Sequence, residues 1–287
     1  MTAAPPSSPA GTGVPLGEPI AVTVTGADWT PFRTDLRRHG SALVHGRLTD
    51  WRADGDSAAV RSVLGRDWPR YRQIAHAEIR ERYAASRMLL KHTAAAALRA
   101  DAADLELAYG PTGRPSLRGC DQIDISLSHT DDLLLVGLTT RGLIGVDAEL
   151  AGRQLYRNNL DKHICTPQER RDLERLPPEE RNPSLLRLWT LKEAYSKAIG
   201  QGLQFRFTEF GFGPDGRPVR VNRPDGTPGA GAEWFFRTYA RDVAGVAFIM
   251  SAAVHDAGLG RTLDTEITTM LEADTTAAIN EALARGG

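Results

Sequence analysis

Leu188-Trp189-Thr190-Leu191-Lys192-Glu193-Ala194-Tyr195-Ser196-Lys197-Ala198-Ile199-Gly200-Gln201-Gly202-Leu203 is the stretch whose reading decides the fold. Taken as a helix, it stacks Trp189, Glu193 and Lys197 on one face at i, i+4 and i+8. Leu185, Leu188, Leu191, Tyr195 and Ala198 form a second, apolar stripe that packs inward. Gly200 supplies the αL residue at which a helix ends. A solvated surface helix with a Glu–Lys pair and one wall of a site both satisfy this spacing, so the surrounding chain has to decide between them.

With 287 residues the chain has room for one large domain or two ordinary ones. A net charge of −1 argues against a generic polyanion binder, so no nucleic-acid partner is expected and any basic site is local. Cys120 and Cys165 cannot build a disulfide framework and lie in no metal-binding spacing, which fits a reduced, cytoplasmic setting. Residues 1–17, rich in Pro, Ala, Ser and Gly, predict a disordered leader and lack the basic start and apolar core of a signal peptide. No run approaches the ~18 apolar residues of a membrane span, so no membrane partner is expected.

Strands are predicted over 20–24 and 42–44, then a helix over 67–98 that ends in an alanine run. Arg80, Arg87 and Lys91 return to one side of that helix, with Arg82 off the stripe. A solvated basic face and a ligand face both fit. Residues 105–109 read as a strand, and Gly110-Pro111-Thr112-Gly113-Arg114-Pro115 as a turn that frames one arginine. Strands over 123–128, 133–139 and 143–147, joined by short links, predict an antiparallel meander with Ser128-His129 at a strand end. In Gly145-Val146-Asp147-Ala148-Glu149 the two carboxylates point to one side of an extended chain, where a hard divalent ion or solvent would separate them. Thr166-Pro167-Gln168-Glu169 starts a helix with a capping box, which gives Glu169 a structural explanation. Strands over 205–212, 233–239 and 246–254 predict a second antiparallel sheet, with turns at Pro214-Asp215-Gly216 and Pro224-Asp225-Gly226. The tail from 258 reads as one helix.

Four segments in this order resemble the Sfp-type 4′-phosphopantetheinyl transferases: Gly113-Arg114-Pro115, Ser126-Leu127-Ser128-His129-Thr130, Gly145-Val146-Asp147-Ala148-Glu149, and Trp189 through Leu203. The last fits the family form W-x-x-K-E-A-x-x-K-x-x-G-x-G-L at every stated position. Ser126 stands where the family often has Asn, and Thr130 where Ser is common. The resemblance covers about residues 67–255 and implies an α+β fold, a pseudo-twofold pair of halves, each an antiparallel sheet with a long helix. It divides the chain into a leader (1–17), a coenzyme A-binding half (18–144), a half with the metal and phosphate site (145–257) and a tail (258–287). With both halves in one chain, a monomer is expected.

The resemblance further implies transfer of the phosphopantetheine arm of coenzyme A to a serine of an acyl or peptidyl carrier protein, releasing adenosine 3′,5′-bisphosphate. Asp147, Glu149 and Glu193 would hold Mg²⁺, and Lys197 would reach a phosphate. Arg114, Ser128 and His129 would touch the nucleotide, and Arg87, with Arg82 and Lys91, the 3′-phosphate. Glu193, a metal-bound water or Glu169 would take the serine proton. Arg153, Arg157 and Lys162 are the basic groups expected to meet an acidic carrier.

Overall fold

A computed structural model describes residues 16–24, 27–52, 57–212, 223, 226–227 and 233–257. The first half contains β1 (Ile20–Ala21), α1 (Thr30–His39), β2 (Ser41–Arg47), α2 (Ala58–Leu64), α3 (Trp68–Gln73), α4 (Ala77–Leu98), β3 (Leu107–Tyr109), β4 (Pro115–Leu117), β5 (Asp124–Thr130) and β6 (Leu133–Thr139). The second contains β7 (Gly142–Leu150), α5 (Asp161–Ile164), α6 (Pro167–Arg175), α7 (Pro178–Ala198), β8 (Trp234–Val243) and β9 (Val246–Asp256). The fold is α+β. One sheet runs β1-β2-β6-β5, another β7-β9-β8, and β3-β4 is a separate hairpin. All pairings are antiparallel except β1 with β2.

The two halves repeat one order of elements. A strand, a long helix and a hairpin follow one another as β2-α4-β5-β6 and again as β7-α7-β8-β9, and in each sheet the last strand lies in the middle. The middle strands are therefore covered on both faces, and their side chains alternate between two cores. In β6, Leu134, Val136 and Leu138 join the core under α4, while Leu133 and Leu135 join a core shared with the second sheet. In β9, Ile249 and Ala253 pack toward α7, while Phe248, Met250, Ala252 and Val254 enter the shared core.

β7 departs from the expected meander. β6 already carries β2 and β5 on its two edges, so no edge remains for β7, which pairs with β9 instead. Its other edge meets β5 through side chains. Asp124 Oδ2 accepts from the Ile144 amide at 2.7 Å, Ser126 Oγ from Val146 at 3.1 Å and Ser128 Oγ from Ala148 at 3.3 Å. Alternate residues of β5 thus satisfy alternate amides of an edge strand that has no backbone partner on that side.

Two further expectations are corrected. The helix over 67–98 is two helices, because the chain turns extended at Ile74 and restarts after His76. Residues 205–212 make no strand; short 3-10 turns at Gly202–Gln204 and Phe207–Glu209 instead bring Phe205 and Phe210 onto Tyr195 and Phe207 onto Trp189. Residues 1–15, the tail from 258 and the Pro214–Gly216 turn lie outside the described residues. Of the expected leader, Leu16 is buried in the shared core, and the Gly17 carbonyl accepts from Tyr239 Oη at 2.6 Å.

Gly145 brings α7 to the second sheet. A Cβ there would sit 1.8 Å from the Ala194 carbonyl oxygen and 2.6 Å from the Ala198 nitrogen, so helix backbone rests directly on strand backbone. Gly152 has open space where its Cβ would be. Gly145→Ala is therefore expected to lower the unfolding free energy by at least about 3 kcal/mol, and Gly152→Ala to change it by less than about 0.5 kcal/mol, in urea titration. Equal effects of the two would contradict the close approach.

Candidate active site

The packing of α7 separates its two stripes. Leu185, Leu188 and Leu191 are buried, and Tyr195 meets Phe205, Phe210, Trp234 and Phe236. Trp189 leans on Phe207, 5.3 Å between ring centres. That leaves Glu193 and Lys197 facing β7 and β5. Lys197 Nζ donates to Asp147 Oδ1 at 2.6 Å and to Ser128 Oγ at 3.0 Å. Ser128 Oγ in turn donates to Asp147 Oδ1 at 2.9 Å. With the Ala148 amide as its other donor, the Ser128 hydroxyl is fully engaged and orients Asp147, so the expected nucleotide contact is not open to it.

Asp147 and Glu149 lie on one side of β7, as their spacing requires, and Glu193 completes a group of three carboxylates. Burial, then the Asp147 charge, pushes the Glu193 carboxyl up to about 7, against the pull of Lys197, with Glu149 raising it further. Glu193 is 7% exposed, and its buried Oε1 has no hydrogen-bond partner among the described residues. Burial also raises Glu149, opposed by Arg153, with Asp147 raising it again. Arg153 bonds Glu149 Oε1 and so adds positive charge to the carboxylate group; Arg153, Arg157 and Lys162 are all exposed.

Among the described residues no three His, Cys, Asp or Glu side chains converge tightly enough to hold a metal as they stand. The donor set nevertheless suits a hard divalent cation: the Asp147 charge raises the proton affinity of Glu193 and Glu149, Glu149 adds to it at Glu193, and one buried Glu193 oxygen lacks a donor among the described residues. Lys197 and Arg153 supply the positive charge on Asp147 and Glu149.

Three expected site residues occupy other stations. Glu169 closes the capping box with Thr166, as its sequence position indicates, and does more: its Oε2 also takes Lys192 Nζ at 2.6 Å and its Oε1 the Phe212 amide at 2.8 Å. Both oxygens are bonded within the fold and the residue is buried at 3% exposure, which gives Glu169 a structural role. Lys192, wholly buried, also donates to the carbonyls of Ile164 and Phe207, tying three segments to the helix beside Glu193. Arg114 makes a two-pronged bond to Asp124 at 2.7 and 2.5 Å and donates to the carbonyls of Lys197 and Ile144. It clasps the halves together, with four of its five donors spent inside the fold. Lys91 is 2% exposed with its ammonium on the Val63 carbonyl, which removes it from the open basic face.

Arg82, Arg87 and His129 do gather. Desolvation by the surrounding walls lowers the His129 pKa, and the charges of Arg82, Lys197 and Arg87 lower it further, so these cations share one corner. Arg82 Nε is buried there without a partner among the described residues. A cavity of about 270 Å³ runs from Thr112, Gly113 and Arg114 past Ser126 to Glu193 and Lys197. A larger groove of about 620 Å³, lined by Trp29, Arg33, His92 and Arg99, contains none of these residues. Sequence reasoning assigned no role to Asp124 or Lys192. The alternation Asp124-x-Ser126-x-Ser128 was the available signal for the first, and the position beside Glu193 for the second.

The Glu193 shift has a stability consequence. In the unfolded chain the carboxyl ionises near 4.5, whereas the fold keeps its proton to about 7. Between these values the folded state binds the proton more tightly, so stability falls as pH rises from about 4.5 to about 7. In metal-free buffer the unfolding free energy of the wild type is expected to lose roughly 2–3 kcal/mol over that window relative to Glu193→Gln. Parallel curves for the two proteins would contradict the burial of an unpartnered carboxyl.

Residues 143–244 match the model of the 4′-phosphopantetheinyl transferase superfamily. A Synechocystis sp. protein provisionally assigned as a 4′-phosphopantetheinyl transferase is 33% identical over 126 residues, 43% of this chain and 51% of that one. The 4′-phosphopantetheinyl transferase HetI of Nostoc sp. is 31% identical over 44% of this chain and 54% of its own. A 4′-phosphopantetheinyl transferase of Bacillus subtilis is 26% identical over 60% and 74%. The chain spans about half the length of the first two of these relatives. These matches show that the chain resembles the 4′-phosphopantetheinyl transferase superfamily, through the segment that carries β7, α7 and the Asp147, Glu149 and Glu193 carboxylates.

Proposed function

We propose that the chain is a transferase that moves the 4′-phosphopantetheine arm of coenzyme A onto a serine hydroxyl of an apo acyl or peptidyl carrier protein. The serine oxygen forms a bond to the pyrophosphate phosphorus nearer the pantetheine, and the P–O bond to the nucleotide breaks, releasing adenosine 3′,5′-bisphosphate. The observation that carries this reading is the grouping of Asp147 and Glu149 around Glu193, with Lys197 bonded to Asp147, beside a cavity between the halves that Glu193 and Lys197 line. Attack on a pyrophosphate demands charge neutralisation and alignment above all, and these groups supply both. Both walls come from one chain, which supports a monomer as the working unit.

Glu193 is the base in this reading. Its carboxyl lines the cavity, and its buried Oε1 has no donor among the described residues, which leaves that oxygen free to accept the serine proton. Lys197 provides a compact positive charge for the pyrophosphate, and its carbonyl is fixed by Arg114. Arg82, Arg87 and His129 form the corner for the nucleotide's phosphate. Asp147, Glu149 and Glu193 would hold Mg²⁺, whose chemistry here is neutralisation of the pyrophosphate oxygens.

The test is incubation with apo carriers of fatty-acid, polyketide and nonribosomal peptide type, coenzyme A and Mg²⁺, followed by intact-mass measurement of each carrier. A phosphopantetheine adduct is expected on at least one carrier, formed about 100-fold or more slowly by Asp147→Ala. No adduct on any carrier, or an undiminished one with Asp147→Ala, would overturn the proposal.

A further inference from the structure

Behind the cationic corner lies a buried carboxylate that the mechanism does not use. Asp67, 9% exposed, ends the short turn between α2 and α3 and accepts one phenol on each oxygen: Tyr83 Oη on Oδ1 at 3.0 Å and Tyr109 Oη on Oδ2 at 2.6 Å. Burial raises the pKa of both phenols, so both keep the proton they donate. Lys91, which the structure withdraws from the basic face, is an electrostatic partner of the same carboxylate.

The two tyrosines come from separate elements, α4 and β3, and both face Arg87. The guanidinium carbon lies 4.1 Å from the Tyr83 ring centre and 5.6 Å from that of Tyr109. With its O–H directed to Asp67, Tyr109 Oη accepts from Arg87 Nε at 3.3 Å, while Nη1 donates to Ser86 Oγ at 3.0 Å. Nε and Nη1 are thus each engaged, and Nη2 has no bonding partner among the described residues. Arg82 and Arg87 both act on His129, so the three side chains lie near one another. A long arginine side chain loses rotamer freedom on being fixed, and a scaffold that fixes it beforehand removes that loss from binding.

We propose that Asp67, Tyr83 and Tyr109 are positioning residues that hold Arg87 with its Nη2 left to meet a terminal phosphate of the donor substrate. The identity of the donor rests on the transferase reading above; the scaffold does not. Phosphorylated and unphosphorylated ligands of otherwise equal shape separate a positioning role from a purely structural one, because damage to the fold weakens both.

The experiment compares Tyr109→Phe and Asp67→Asn with the wild type in two assays: transfer from coenzyme A and from 3′-dephospho-coenzyme A, and calorimetric binding of adenosine 3′,5′-bisphosphate and adenosine 5′-monophosphate. Tyr109→Phe is expected to raise KM for coenzyme A and Kd for the bisphosphate about tenfold, but those for the dephosphorylated partners by about twofold or less. Added to Arg87→Ala, which itself abolishes the preference, Tyr109→Phe is expected to cause no further loss of it. Equal losses for both ligands of a pair, an intact preference, or a wild type that does not distinguish bisphosphate from monophosphate would each overturn the proposal. Tyr109→Phe keeps the ring packing, so it decides the matter even where Asp67→Asn does not fold. A wild type that binds the bisphosphate selectively but modifies no carrier would refute the transferase reading and leave the positioning role standing.

Discussion

Three backbone amides of β7, those of Ile144, Val146 and Ala148, point away from their own sheet and would be orphaned donors if β5 did not answer them with Asp124, Ser126 and Ser128. Each amide left unsatisfied in that buried seam would cost about 1–3 kcal/mol. The seam also fixes register. A slip of one residue would turn Ile125 and Leu127 toward the amides and move the serines into the first core, so the halves can meet in only one way.

The site is built from that seam. Ser128 serves in both, accepting the Ala148 amide and donating to Asp147, whose carboxylate also holds Lys197. Asp124 likewise accepts the Ile144 amide and the Arg114 guanidinium, and Arg114 reaches on to the Lys197 carbonyl near the end of α7. Gly145 lets α7 lie against β7 at Ala194, the residue next to Glu193. Strand, helix and hairpin are therefore fixed relative to one another by a few polar contacts and one missing side chain. Glu193 keeps one buried oxygen with no hydrogen-bond partner among the described residues, and such an acid in a cavity wall is a mark of chemistry more than of stability.

Much of this was legible in local pattern. The 3.6-residue period separated the buried Leu185, Leu188 and Leu191 from Glu193 and Lys197, the period of two put Asp147 and Glu149 on one side, and Thr166 with Glu169 announced a helix start. What was not legible depended on partners distant in sequence. The short link before β7 suggested a meander, and only the occupied edges of β6 exclude it. The spaced phenylalanines from Phe205 to Phe212 imitate a strand, but their rings pack around Tyr195 and Trp189 on α7. Arg114, Lys91 and Glu169 carry charges that suit a ligand, and in sequence nothing distinguishes such a charge from one answered by Asp124, by the Val63 carbonyl or by Lys192.

The dependence of the cleft on the β5–β7 seam is tested most directly by native-state hydrogen exchange at single-amide resolution. The account predicts that Ile144, Val146 and Ala148 exchange only with global unfolding, as do the β7 amides paired to β9, and that Ser126→Ala selectively releases Val146. Exchange of these three amides at the rates of exposed loops, or an unchanged Val146 in Ser126→Ala, would contradict it.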